Sequence, residues 1–83
     1  MLDLELMDKQ RLLKNYNMNY EMLTKYSDNV EGIDKAYEYG NKIINEDPAF
    51  TEQFVKLRGN VFKSNREIAA FAYAVLLEQK EIK

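Results

Sequence analysis

The chain has 83 residues, of which 12 are basic and 14 acidic, and 46% are hydrophobic; it contains neither Cys nor His. This describes one domain, apolar enough to fold but near the size at which a single core gives only marginal stability. The missing residue types exclude a disulfide framework, thiolate metal sites and the usual nucleophile–base pairs, and a net charge of -2 without blocks of either sign weighs against a phosphate-backbone reader.

The chain opens MLDLELMDKQ, with acids where a secretory signal needs a basic start. One helix is predicted from 3 to 26, its Leu2, Leu6, Leu13, Tyr16, Tyr20 and Leu23 lying close to a heptad seam that Lys9 interrupts. Within it NYNMNY (15–20) is ambiguous. Tyr16, Met18 and Tyr20 alternate with Asn15, Asn17 and Asn19 at the period of a half-buried strand, yet the flanks read as helix. A lone strand would also lack partners.

A second helix is predicted over 30–46. A loose Asp28-Asn-Val-Glu31 cap precedes Ile33, Ala36, Tyr37, Gly40, Ile43 and Ile44, spaced in steps of three and four. For the third, over 48–62, Asp47 stands in the N-cap place and Pro48 at the first helical position, where its missing N–H costs nothing. Its stripe is Phe50, Phe54, Leu57 and Val61. Ser64-Asn-Arg-Glu67 fits a capping box that opens the fourth helix, over 65–81. The run IAAFAYAVLL (68–77) is apolar on all sides and about half the length that crosses a bilayer. Such a helix is either central in a bundle or shares a face with a second copy, and both a monomer core and a homodimer fit. The expectation is an all-α, cytoplasmic, single domain spanning 1–83. It is a small bundle of about four helices in which hairpins 3–46 and 48–81 pack around 68–77.

The aromatics suggest an internal repeat. Shifting the first half by 34 places Tyr16 on Phe50, Tyr20 on Phe54, Tyr37 on Phe71 and Tyr39 on Tyr73, where roughly half a match is expected at random. Leu23 then falls on Leu57, Ala36 on Ala70, Gly40 on Ala74 and Ile43 on Leu77. The shift makes the tyrosines of NYNMNY counterparts of residues behind a strong helix start, so helix is the reading adopted there. Over about residues 17–83 the pattern resembles tetratricopeptide hairpins, with Tyr20 and Phe54 early in the first helix, Leu23 and Leu57 next, Ala36 and Ala70 in the second, and Pro48 as the terminal proline. The chain departs from that family at Thr24 and Arg58, where it has a small residue, at Gly40 and Ala74, at Ile43 and Leu77, and at Ile82. A generic pair of similar helical hairpins also accounts for the pattern.

Nothing in the sequence points to catalysis, a cofactor or a metal. Carboxylate pairs such as Asp34 with Glu38 have lysines nearby or capping roles, as on a solvated face. The expected function is therefore non-catalytic: a small helical module that binds another protein as an adaptor, regulator or inhibitor. Tyrosine suits interfaces because a large apolar ring carries a hydroxyl that tolerates water. Tyr16, Tyr20, Tyr26, Tyr37, Tyr39, Phe71 and Tyr73 are the candidate partner-binding residues. The alternative is a dimeric nucleic-acid-associated regulator using the basic segment Lys56, Arg58, Lys63 and Arg66, although the helix behind it is too apolar for a recognition helix. Asn- and Lys-rich usage resembles that of AT-rich bacterial and phage genes, which suggests an immunity or antagonist protein as one form of the first reading.

Overall fold

The computed structural model describes residues 4–26 and 32–82. A 3-10 turn, Leu4–Leu6, is followed by four α-helices: α1 Lys9–Tyr26, α2 Ile33–Glu46, α3 Pro48–Arg58 and α4 Asn65–Ile82. No strand occurs among the described residues, and NYNMNY is uninterrupted helix within α1. The all-α expectation is met.

Three helix boundaries differ from expectation: α1 starts at Lys9, α2 starts at Ile33 instead of 30, and α3 ends at Arg58. The first and the last have a visible local reason. The single helix expected from residue 3 breaks at Asp8, whose carboxylate accepts from Arg11 N at 3.0 Å and so caps α1. With the break, Leu6 of the expected seam faces solvent, and Leu4, Met7 and Leu12 are buried instead. Likewise α3 ends at Arg58 rather than 62. Gly59 takes a left-handed φ of 100°, and its N–H closes on Val55 O at 2.8 Å. Val61 consequently leaves the stripe and is exposed. The other caps form as read: Asp47 Oδ1 accepts from Phe50 N at 3.3 Å, and Ser64 and Glu67 cap each other's backbone. For α2, Gly32 at φ 85° precedes the first turn, and the expected cap at 28–31 lies outside the described residues, as does Leu2.

The fourth helix is the axis of the bundle. At about 1.5 Å per residue, its 18 residues run roughly 27 Å, most of the 33 Å long dimension. It packs chiefly against α1 and α2. Ala69, Ala70, Ala72 and Ala74 let those helices approach closely, and with Phe71 and Val75 they are fully buried. One copy thus encloses most of the run that looked too apolar for a chain this short. Only Leu76 and Leu77, near its end, remain substantially open.

Arg11, at the start of α1, donates from Nε to Glu78 Oε1 at 2.5 Å and from Nη2 to Oε2 at 3.0 Å, tying it to the far end of α4. On the other flank α2 crosses α4 at Gly40. A Cβ there would sit 2.6 Å from Ile68 Cγ2 and 2.7 Å from the Ile68 carbonyl oxygen, so this crossing requires glycine. Across the front, Phe50, Phe54 and Phe62 surround Phe71, with ring centroids 6.0, 4.7 and 5.1 Å away. Such contacts add to plain area burial.

The 34-residue register pairs some equivalent environments and some unlike ones. Tyr16 and Phe50 are both buried, as are Ala36 and Ala70. Tyr20 is exposed where Phe54 is buried, and Ile43 is buried where Leu77 is exposed.

The segment before α1 is held differently from the rest. Leu4–Leu6 rests on α3, with Leu4 and Met7 buried, Leu6 outward and an exposed Glu5–Lys9 pair. Burying two such side chains contributes about 1.5–3 kcal/mol each. Ordering residues 4–7 costs about 1–2 kcal/mol per residue. These terms nearly cancel, so the strap adds little net stability of its own.

Candidate functional site

The seven aromatic candidates separate into three environments. Tyr16 and Phe71 are core residues, 2% and 0% exposed, and offer no surface to a partner. The partner-binding role expected for them is corrected to a packing role. Position explains this: Tyr16 sits on the buried face of α1 with Leu12 and Leu23, its ring edge-on to Phe54 at 5.5 Å. Tyr37, Tyr39 and Tyr73 are half-buried at core edges. Tyr39 donates its hydroxyl proton to Gln79 Oε1 at 3.1 Å, joining α2 to α4, and burial raises the phenol pKa of both Tyr39 and Tyr73. Tyr20 and Tyr26 are exposed, Tyr20 lying parallel to the Tyr16 ring at 6.4 Å.

The aromatic count drew attention to tyrosine and missed methionine. Met18, Met22 and Tyr26 are 58%, 41% and 58% exposed. At separations of four they form one row along the outside of α1. A second exposed pair, Leu76 and Leu77, follows half-buried Tyr73 on α4, again at steps of three and four. Single exposed apolar side chains are ordinary, but three in one row on an 18-residue helix are not scattered. The signal was available in the sequence: Met18 and Met22 lie roughly 100–140° around the helix from the face of Leu12, Tyr16 and Leu23, which point to the core.

The basic candidates do not form a common surface. Arg58 is turned inward, its side chain 16% exposed and ion-paired with Glu67, itself 7% exposed. Its Nη1 also donates to the carbonyls of Asn60 and Val61 at 3.1 and 3.0 Å. The guanidinium carbon lies 5.1 Å from the Tyr16 ring centroid and 5.5 Å from that of Phe62. The Glu67 carboxylate in turn accepts from the backbone N–H of Lys63 and of Ser64. Arg58 is thereby committed to closing the corner between α3 and α4, which corrects its assignment as a nucleic-acid contact. Lys56 faces solvent beside Glu52 at 3.5 Å, and Lys63 and Arg66 are exposed. The capping box had located Glu67; its partner Arg58 carried no sequence signal, nor did the pairing of Glu78 with Arg11.

Burial pushes the Tyr16 phenol up to about 12, against the lowering influence of the Arg58 charge. The buried carboxylates among the described residues are all engaged: Asp47 at a cap, Glu67 with Arg58, and Glu78 with Arg11. Among the described residues, no group of three or more acidic side chains is placed to hold a metal, and no helix is long and apolar enough to cross a membrane. In comparisons with known proteins, no family model, no curated protein and no solved structure matches this chain.

Proposed function

We propose that this protein acts without catalysis, by binding another protein as an adaptor, regulator or inhibitor. The observation that carries this reading is the Met18–Met22–Tyr26 row on the outer side of α1. Methionine adapts its shape to a partner, and tyrosine gives contact area with little loss of conformational freedom. Tyr20 adds a second exposed ring on the same helix. Commitment of the buried carboxylates to caps and ion pairs supports the non-catalytic part. The Asn- and Lys-rich composition favours a small antagonist or immunity protein as the concrete form.

The test is affinity capture from cells of the source with mass spectrometry, using wild-type chain and a Met18→Lys/Met22→Lys variant of unchanged helicity. A protein retained by the first and lost by the second supports the reading. Equal retention by both moves the surface away from α1. If nothing specific is retained by wild type, the protein-binding reading fails.

A further inference from the structure

The strap and α3 together have the form of a ligand seated in its own groove. Leu4 and Met7, three residues apart, are buried in the common core, whereas Glu5 and Leu6 between them face solvent. The turn is closed by Met7 N donating to Leu4 O at 3.1 Å. That is the apolar-x-x-apolar display by which short helical peptides dock in grooves. The turn packs against α3, and Leu4 and Met7 belong to the same buried cluster as Phe50 and Phe54 of that helix. Downstream, Asp8 ends the strap and starts α1 afresh, so the strap can lift without unwinding a helix. The Glu5–Lys9 ion pair at its outer edge is solvent-exposed.

We infer that the α3 face beneath residues 4–7 is a peptide-docking groove held shut in cis by Leu4 and Met7. Its occupant in trans is a partner segment with two large apolar residues three apart in a single helical turn. This site is separate from the outer row of α1 and does not depend on it. A groove filled in cis lowers the apparent affinity for a competing segment by the fraction of molecules in which it is open. Release of the strap therefore raises that affinity without altering the groove.

The test uses the full chain and a fluorescent peptide of residues 1–10, MLDLELMDKQ, read by anisotropy. The expected result is that Leu4→Asp/Met7→Asp keeps its helical circular dichroism and binds the peptide about tenfold or more tighter than wild type. A peptide carrying the same two substitutions should not bind. Binding no tighter than to wild type overturns the proposal, since vacating the groove then exposes no site. Loss of helicity in the variant overturns it as well, because Leu4 and Met7 would then be indispensable core and not a displaceable strap.

Discussion

At the corner between α3 and α4, charged groups are buried among aromatic rings; along the outside of α1, apolar side chains stand in solvent. The corner works because its charged groups are paired, although the Tyr16 hydroxyl beside them is buried without a hydrogen-bond partner among the described residues. Glu67 receives an arginine and two backbone N–H groups, and Arg58 Nη1 donates to two carbonyls of the loop. Nothing comparable fixes the α1 row, where Met18, Met22 and Tyr26 gain little from the fold they belong to. Residue type alone misleads at both places. The arginine that looked like a ligand contact holds the structure together, and two apolar methionines stand in solvent.

The largest effect is expected from breaking the corner. Glu67→Ala leaves the Arg58 charge buried and unpaired and removes the acceptor of Lys63 N and Ser64 N, a change that costs about 3–5 kcal/mol. Urea unfolding followed by circular dichroism measures it, and Glu67→Gln, which can still accept from the amides, should lose less. A loss below about 1 kcal/mol would mean that the corner behaves like an ordinary surface pair, and the contrast with α1 would disappear.

Tyr16 belongs to both regions, since it lies on α1 and carries Arg58 over its ring. Its phenol ionises near 10 in an unfolded chain and at about 12 in the folded one. The raised value means that the folded state holds the proton more tightly. The stabilisation is complete below pH 10 and is lost as pH rises from about 10 to 12, at about 1.4 kcal/mol per pH unit. Tyr16→Phe should flatten that part of the stability curve. Tyr39 and Tyr73, raised in the same direction, keep some slope, so the difference between the two proteins is the quantity to read. An unchanged slope would place the Tyr16 hydroxyl in contact with water.

What was legible in the sequence follows the range of the interaction. Caps at Asp47 and Ser64–Glu67, the helical stripes and the central apolar helix depend on residues within about one turn of each other, and these were read correctly. The strand-like period of NYNMNY was set aside correctly as well, although Asn19 has a buried amide nitrogen without a hydrogen-bond partner among the described residues. Arg11 and Glu78 are 67 positions apart, and no local pattern announces a pair at that distance. The end of α3 was missed for another reason. Val61 continues the apolar spacing, and the stop at Gly59 rests on a backbone conformation that periodicity does not register.

Gly40 tests the corner from its other side, because Ile68 follows Glu67 on the first turn of α4. In isolation alanine is about 1 kcal/mol better than glycine inside a helix. Here the added methyl meets a backbone carbonyl that cannot rotate away, and overpacking of this kind costs about 1–3 kcal/mol. Gly40→Ala should therefore destabilise on balance, in the same urea titration. A stabilised variant would mean that α2 and α4 stand further apart than this crossing has them.

The smallest effect on stability is expected on the outer face, and its smallness is the informative part. Lysine matches methionine closely in helix propensity, and Met18 and Met22 have little contact to lose. Met18→Lys/Met22→Lys should thus shift unfolding by no more than about 0.5 kcal/mol. The same pair should abolish partner capture, because two charges would replace the apolar row at the centre of the proposed interface. Glu67→Ala reverses the pattern: it is costly to the fold, and any loss of capture should disappear under conditions that restore the helical signal. If the methionine pair destabilises as much as the corner variant, the row is packed against something within the chain, and α1 presents no free surface.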